Sequence, residues 1–449
     1  MKVRDYILII LFHLFLGAFF YYFKFLSIGY AALIIPIGCY FIIKNRNKAN
    51  EAMYWAAYIV GVEVFLRMTK GNIGNEFGKY GVIIFMLLGM YFSGISKKAT
   101  PYFFYLFFLI PGLVYGMVSL DYETDIRKAV VFNLLGPICL AISSIYLVDK
   151  KIDFEAIEKL TRWMLYPLFA MLVYIILFSP TIKEVVTGTD SNSATSGGFG
   201  PNQVSTVLGL GMFLVFVRLL FFSKTFFLIL FHSVLLLTFS YRGLITFSRG
   251  GFIAGVLMII LLLFFIYFYA SIKAKFKIGI VIILLFFGAI GVFTYSVSQT
   301  GGMIVNRYKG EDALGREKAS KFSGREELAT MELQMFFDNP ILGVGVGKNK
   351  ENKEEITGEA SASHNEITRM LAEHGFFGIL SLFILLFYPL FHYFFNKKYI
   401  FLFSFYFFWL LTINHAAMRI AAPAFIYALT LLNFSFDEQS NSISRQPTL

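Results

Sequence analysis

The feature that most constrains this chain is a series of apolar segments, each near the length that crosses a bilayer, which recurs from Tyr6 to Phe434. A membrane-spanning helix takes about 17–25 mostly apolar residues. The segments lack the short alternating pattern of a membrane barrel, so helices are predicted to satisfy their backbone polar groups. About fourteen segments fit: 6–22, 26–43, 52–67, 80–95, 101–118, 129–148, 164–179, 203–222, 225–239, 250–270, 278–298, 376–395, 399–413 and 420–436. The sequence therefore predicts an all-α fold, a polytopic membrane bundle of about 12–14 transmembrane helices.

The composition excludes an ordinary soluble globule. Hydrophobic residues make up 57% of the chain and charged residues 15%, against roughly 25% charged residues in a typical soluble domain. The net charge of +11 would suggest nucleic acid as a partner of a soluble protein, but here the basic residues follow the membrane topology. The expected partner is membrane lipid, not nucleic acid. Cys39 and Cys139 both lie in apolar segments, so neither a disulfide framework nor a cysteine metal site is predicted.

The short loops assign the two faces of the membrane. If the N-terminus lies in the cytoplasm, the basic residues of alternate loops all fall on the inner face, as the positive-inside rule requires. Examples are Lys44, Arg46, Lys48, Lys97, Lys98, Lys150, Lys151, Lys397 and Lys398. The outer face then receives 119–128, 181–202, 240–249 and 299–375. Both termini are expected inside, and the first segment is expected to remain as a helix because no small-residue cleavage site follows it.

Four regions are predicted along the chain. Residues 1–180 form an N-terminal transmembrane bundle, and 181–298 form a transmembrane region that carries short motifs. Residues 299–375 form a large, partly helical outer loop, with one amphipathic helix over 326–337 and a second over 363–373. Residues 376–449 form the last transmembrane helices and a cytoplasmic tail.

Three arginines near the outer face are candidates for binding an anionic substrate. Arg249 lies in Ser-Arg-Gly-Gly at 248–251, Arg242 precedes it, and Arg325 begins the first outer-loop helix. A guanidinium binds phosphate through two parallel N–H donors, and glycines beside a helix N-terminus let a bulky ligand approach. The alternatives are a snorkelling anchor for Arg249 and a solvated, Glu-paired side chain for Arg325.

His364 and Asn365 open the second outer-loop helix, just above the membrane. An imidazole in this position can accept a proton from a hydroxyl near neutral pH. The alternative is a structural histidine, and no spacing typical of metal ligands surrounds it, so no metal is predicted. Asn202 ends Gly-Phe-Gly-Pro-Asn at 198–202, which also fits a plain loop with a helix-start proline.

Charges within the apolar segments do not favour a transporter. Glu63 and Arg67 lie four residues apart, so they can pair on one helix face. His415 and Arg419 lie near the outer ends of the last two segments, and the sequence leaves their roles open. No segment carries the run of carboxylates typical of a proton-coupled transporter.

Taken in order, these motifs resemble the O-antigen ligase/polymerase superfamily. They are Gly-Phe-Gly-Pro-Asn at 198–202, Ser-Arg-Gly-Gly at 248–251, Gly-Arg at 324–325, Asn-Pro-Ile-Leu-Gly-Val-Gly-Val-Gly at 339–347 and His-Asn at 364–365. The last motif, followed at a fixed spacing by Gly375 and Gly378, is similar to the signature of the ligase branch. The resemblance covers 198–378, whereas the charged stretch 348–359, Arg242 and His374 depart from the family pattern.

The resemblance implies a C-type glycosyltransferase of the bacterial inner membrane whose active site faces the periplasm. Such an enzyme moves a glycan from undecaprenyl diphosphate to an acceptor sugar, with inversion and without a metal, a nucleotide sugar or another cofactor. By the same resemblance, Arg249 and Arg325 hold the diphosphate and His364 activates the acceptor, which makes these three the catalytic residues. The residues assigned to substrate binding are Arg249, Arg325, Asn365, Asn202 and Arg242.

Three functions stay open on the sequence. The favoured one is an O-antigen ligase that attaches polysaccharide to lipid A-core. The alternatives are a polymerase that joins lipid-linked repeat units, and a flippase or transporter of lipid-linked glycans. The outer-face position of Arg249, Arg325 and His364 favours an enzyme, because a flippase needs charges that line a transmembrane cavity. The outer loop offers no obvious pair of carboxylates at an inferable separation, so the two-carboxylate retaining scheme is not supported.

Overall fold

The protein is a multi-pass bundle of α-helices. The computed structural model describes residues 3–318, 324–358, 361–395 and 399–434. The helices are α1 (Val3–Tyr22), α2 (Leu26–Asn45), α3 (Glu51–Met68), α4 (Phe77–Ser93), α5 (Thr100–Ser119), α6 (Ile126–Leu147), α7 (Phe154–Phe178), α8 (Ile182–Val185), α9 (Pro201–Phe221), α10 (Phe226–Leu244), α11 (Arg249–Tyr269), α12 (Ile272–Gln299), α13 (Met303–Lys309), α14 (Arg325–Asp338), α15 (Lys348–Thr357), α16 (Glu366–Phe395), α17 (Leu402–Ile413) and α18 (Ala421–Leu429). A short parallel pair joins the strands Lys151–Ile152 and Asn433–Phe434. The predicted all-α fold is confirmed.

Within these described ranges, ten helices are long and apolar enough to cross a membrane, and two shorter apolar helices span Phe77–Ser93 and Leu402–Ala416. Each of the fourteen predicted segments overlaps a helix, but the number of candidate spans is lower than predicted. One reason is that α3 carries three charged residues, Glu51, Glu63 and Arg67. Another is that the last apolar stretch folds into the nine-residue helix α18.

Contacts sort the loops onto two ends of the bundle, as the charge pattern predicted. At one end, Lys348 pairs with Asp121 at 2.7 Å, Arg307 with Asp190 at 3.4 Å, and Arg419 with the carbonyl of Ser363 at 3.0 Å. At the other end, Lys98 pairs with Asp149 at 2.8 Å and Lys150 with Asn50 at 3.2 Å. Arg307 also donates to the carbonyl of Phe247 at 3.0 Å, so all four polar segments assigned to the outer face lie at the same end. The predicted tail 435–449, together with Lys397 and Lys398, lies outside the described residues.

Helix α9 forms the centre of the bundle and positions the start of α11. Every residue from Val204 to Arg218 is buried, and α9 contacts α7, α10 and α11. Glycines allow the two backbones to approach closely, since a Cβ on Gly255 of α11 would lie 2.5 Å from the carbonyl oxygen of Gly209. This approach fixes the N-terminus of α11, and with it Arg249, against the N-terminus of α9.

The segment assigned to the outer face leads into a candidate membrane-spanning helix through a kink in α16. Gly375 adopts φ 55° and ψ −130°, which divides the helix at the position where the sequence predicted a helix end. The left-handed backbone favours glycine, and the position is also crowded, because a Cβ there would lie 2.6 Å from the amide nitrogen of Gly343. The residue after the kink, Phe376, donates its N–H to the carbonyl of Ile341 at 3.1 Å.

The glycine alternation at 343–347 fills the space between α5 and the kink. Gly343, Gly345 and Gly347 all have positive φ, between 71° and 92°. The N–H of Val344 donates to the carbonyl of Ala372 at 2.8 Å, and a Cβ on Gly345 would lie 2.6 Å from the backbone of Gly116. These glycines therefore allow close backbone contact between the outer segment and the transmembrane helices.

Candidate functional site

Arg249 is the first residue of α11, and its backbone is fixed by the start of α9. The hydroxyl of Ser248 donates to Oδ1 of Asn202 at 2.8 Å, and the hydroxyl of Ser205 donates to the carbonyl of Ser248 at 2.7 Å. Asn202 was assigned to substrate binding on the sequence. In the structure its side-chain oxygen contacts Ser248, the residue that precedes Arg249, and so helps to position that arginine.

Arg325 begins α14 and shares a site with Arg249. Its side chain is partly buried. It forms no ion pair with the described residues, so the alternative of a Glu-paired arginine is not observed. Burial lowers the pKa of the Arg325 guanidinium, and the positive charges of Arg249 and Arg419 lower it further. Arg249 of α11 and Arg419 of the loop between α17 and α18 are therefore both close enough to Arg325 to repel its charge.

Arg307 of α13 joins the same group. Its Nε donates to the carbonyl of Phe247 at 3.0 Å, and Nη1 lies 3.4 Å from the carboxylate of Asp190. Burial lowers the pKa of its guanidinium, Arg249 and Arg325 lower it too, and Asp190 opposes them. We call Arg249, Arg307, Arg325 and Arg419 the arginine cluster. The sequence analysis missed Arg307 and left Arg419 open, because nothing local separates these two residues from solvated arginines.

His364 lies beside the arginine cluster with a ring nitrogen available. Its Nδ1 is buried and has no hydrogen-bond partner among the described residues. Burial lowers the pKa of the imidazole to about 4, and the positive charges of Arg419, Arg325 and Lys353 contribute. The ring is therefore neutral at pH 7, so a nitrogen lone pair can accept a proton.

Asn365 and Arg242, both assigned to substrate binding on the sequence, have structural partners. Asn365 caps α16, because its Oδ1 accepts the N–H of Ile367 at 2.9 Å. Arg242 is buried at the end of α10, where Nη1 donates to the carbonyl of Ser179 at 3.1 Å and to its hydroxyl at 3.2 Å. Arg242 is not among the charges that shift the pKa of His364.

The charged stretch 348–359 helps to build the scaffold of the site. It folds largely as α15, and Lys353 forms a fully buried ion pair with Glu332 of α14. Asn349 donates to the same carboxylate at 3.0 Å, and the hydroxyl of Thr368 in α16 also donates to it. Breaking such a pair by removing one partner leaves an uncompensated buried charge. Glu332 thus ties α14, α15 and α16 together.

The buried carboxylates near His364 are occupied by other partners. Arg369 pairs with Glu366 and, at 2.8 Å, with Glu373. The second oxygen of Glu373 accepts the N–H of Gly347 at 3.2 Å. These carboxylates neutralise Arg369 and anchor the glycine segment 343–347, so His364 is the better-placed proton acceptor of the site.

His415 proves to be a packing residue. Its Nδ1 donates to the carbonyl of Leu411 at 3.1 Å, and Nε2 lies 3.3 Å from the hydroxyl of Thr206. Gly250 packs directly on the ring, because a Cβ there would lie 2.5 Å from its Cγ. The histidine therefore packs against the start of α11.

The arrangement of the site favours the binding of an anionic ligand beside a side chain that can accept a proton. Four guanidinium groups concentrate positive charge at one end of the bundle, although Arg307 and Arg419 use some of their donors on backbone carbonyls. A guanidinium can present paired N–H donors that match phosphate oxygens. A neutral imidazole lies at their edge. Among the residues that the structure describes, no group of three His, Cys, Asp or Glu side chains could hold a metal ion.

Comparison with known families gives one match. Residues 233–383 match the family model described as O-Antigen ligase. No curated protein and no solved structure matches the chain. The matched region begins in α10 and ends in α16, so it contains Arg249, Arg307, Arg325 and His364 but not Arg419.

Proposed function

The chain belongs to the Wzy_C O-antigen ligase domain family through residues 233–383, and from this premise we propose that it is a membrane glycosyltransferase. The donor is a glycan on undecaprenyl diphosphate, and the acceptor is the sugar of lipid A-core, which makes the protein an O-antigen ligase. The family implies lipid-linked glycans as substrates in general. The membrane is the bacterial inner membrane, and the arginine cluster faces the periplasm.

The observation that carries this proposal is that two members of the arginine cluster, Arg419 and Arg325, act on His364. Arg419 also donates to the carbonyl of Ser363, the residue before His364, at 3.0 Å. A diphosphate leaving group gains negative charge as its bond to the sugar breaks, and fixed positive charges stabilise this change. The positive charge of Arg249 lowers the pKa of both Arg325 and Arg307, which supports a common site for these three guanidinium groups. A ligand that carries two phosphates supplies the negative charge that such a group attracts.

The proposed reaction is a single displacement. The acceptor hydroxyl oxygen forms a bond to the anomeric carbon, and the bond from that carbon to the diphosphate oxygen breaks. Nδ1 of His364 takes the proton of the attacking hydroxyl, because it is neutral and has no other hydrogen-bond partner among the described residues. Arg249 and Arg325 bind the departing undecaprenyl diphosphate, and Arg307 adds a third cation beside them. Attack opposite the leaving group inverts the anomeric configuration.

A glycan profile of a strain that lacks this protein tests the proposal. A ligase predicts loss of all polymer from lipid A-core together with accumulation of polymer on the lipid carrier. Lipid A-core capped by a single repeat unit would instead assign the protein as a polymerase. Loss of lipid-linked glycan from the periplasmic leaflet would assign it as a flippase and would contradict the enzymatic proposal.

A further inference from the structure

The ion pair in α3 is connected to the segment that carries His364. Nη2 of Arg67 donates to Oε1 of Glu63 at 2.8 Å, and the two side chains are only 13% and 2% exposed. The pairing predicted from their spacing is therefore confirmed. The second oxygen of Glu63 accepts the N–H of Ala421 at 2.7 Å, at the first residue of α18. The pair thus fixes the end of the loop that separates α17 from α18.

Arg67 holds a second point of the same loop. Its Nη2 also donates to the backbone carbonyl of Arg419 at 3.3 Å, and its guanidinium lies 5.9 Å from the ring centre of Phe199. Two residues of α3 therefore hold the backbone at Arg419 and Ala421. These contacts do not depend on the Arg419 side chain.

The other side of this loop contacts the candidate base. The side chain of Arg419 donates to the carbonyl of Ser363 at 3.0 Å, and the N–H of Ala417 donates to the carbonyl of His364 at 3.2 Å. Ala417 adopts a φ of 50°, which is left-handed and uncommon for a residue with a Cβ. Such a conformation persists where the surrounding contacts hold it, and it concentrates at functional sites.

We propose that Glu63 and Arg67 are positioning residues for glycosyl transfer, which set the place of His364 through the backbone of 417–421. The inference rests on the proposed function, and it assigns the ion pair of α3 a role in positioning His364 in addition to any role in stability. A buried ion pair is often no more stabilising than apolar residues of similar volume, and charges within a membrane commonly mark functional sites. Here the pair supplies the hydrogen bonds that the loop backbone needs.

A charge-neutral double variant, Glu63→Gln with Arg67→Gln, tests the proposal without leaving one buried charge unpaired. A matched control, Lys98→Gln with Asp149→Asn, removes an ion pair of 2.8 Å at the opposite end of the bundle. Each purified protein is assayed for transfer from undecaprenyl-diphosphate-linked glycan, and hydrogen exchange of the peptide 414–421 is measured in parallel. A displacement of about 1 Å at a catalytic group costs roughly 100-fold in rate.

The expected result is a fall of about 10- to 100-fold in kcat, little change in KM for the donor, and faster hydrogen exchange at 414–421. The control should keep wild-type values in all three. The single variant Arg67→Lys should keep part of the kcat that the double variant loses, because the charge of Lys still pairs with Glu63. A double variant with wild-type kcat would overturn the proposal, as would one whose loss lies in KM alone. If wild-type protein transfers no glycan, the proposed function fails, whereas unchanged exchange at 414–421 defeats the positioning role alone.

Discussion

The basicity of His364 is expected to depend on the charges around it, and replacing Arg419 by Gln tests this dependence. Burial is the main cause of the lowered pKa, followed by the positive charges of Arg419, Arg325 and Lys353, while Glu332 acts in the opposite direction. Arg419 is the strongest of these charges and lies on a separate loop. Its removal should therefore raise the pKa of the imidazole.

The pKa of about 4 determines the acid side of the pH–rate profile. At pH 7 a group with that pKa is protonated in about one molecule per thousand, so the imidazole of the free enzyme is unprotonated and can act as a base. Activity is lost as pH falls, because a protonated imidazole cannot accept the proton of the acceptor hydroxyl. The acid limb of kcat/KM, which reports the free enzyme, should have its midpoint near pH ~4 instead of near the ordinary ~6.5 of histidine.

Donor binding should move this midpoint. The diphosphate brings negative charge to the arginine cluster and offsets the positive charges that lower the pKa of His364. The acid limb of kcat, which reports the enzyme–substrate complex, should therefore lie at higher pH than that of kcat/KM. In the Arg419→Gln variant the midpoint of kcat/KM should rise by about 1 pH unit, the scale on which a nearby charge acts.

The assay measures initial rates of glycan transfer by purified protein over a range of pH, with lipid-linked donor and acceptor. Lys98→Gln serves as a control, because Lys98 is a cation at the opposite end of the bundle and pairs there with Asp149. It should leave both midpoints unchanged. Identical acid midpoints in wild type and Arg419→Gln would refute the electrostatic reasoning, and a kcat/KM midpoint near ~6.5 in wild type would refute the lowered pKa.

Four further predictions follow from the site and the fold. Arg249→Ala and Arg325→Ala should each lose roughly 3 kcal/mol of transition-state stabilisation, with partial recovery by Lys, and near-normal transfer by both Ala variants would reject the diphosphate site. His364→Gln should reduce the rate by about 10²–10⁴ and still bind the donor, and a Gln variant with nearly wild-type activity would exclude the base role. The wild-type protein should stay active in EDTA. Gly345→Ala should lower the thermal unfolding temperature, because its Cβ would lie 2.6 Å from the Gly116 backbone at a φ of 92°, and an unchanged temperature would contradict the packing. A cysteine at Gly358 should be labelled from the periplasmic side, and labelling only from the cytoplasm would reverse the topology and the mechanism with it.

The local pattern of the sequence was sufficient to predict where the helices lie. Apolar length predicted where each of the fourteen segments lies, since a helix in lipid satisfies its backbone hydrogen bonds internally and depends on few distant residues. The first outer-loop helix, predicted over 326–337, spans Arg325–Asp338 in the structure. Apolar length alone overstated the number of candidate spans, because α3 carries three charged residues and the last apolar stretch folds as the nine-residue helix α18.

Motif order also pointed to Arg249, Arg325 and His364, but not to their surroundings. Asn365 is a helix cap and Asn202 contacts Ser248, roles that a motif does not distinguish from substrate contact. Arg242 donates to Ser179, which directly follows α7. A side chain's hydrogen-bond partner depends on which helix lies opposite, and residue type alone does not specify this.

Only the tertiary structure decided the composition of the arginine cluster. Arg307 and Arg419 reach it from α13 and from the loop before α18, and the pair Glu63 and Arg67 reaches the same loop from α3. The sequence by itself determined the membrane-spanning helical class, the grouping of the loops at two ends of the bundle and the motif residues, because hydropathy and short spacing are local properties. The assembly of charges from five separate elements depends on close helix packing at glycines such as Gly209 and Gly255, and that packing exists only once the chain has folded.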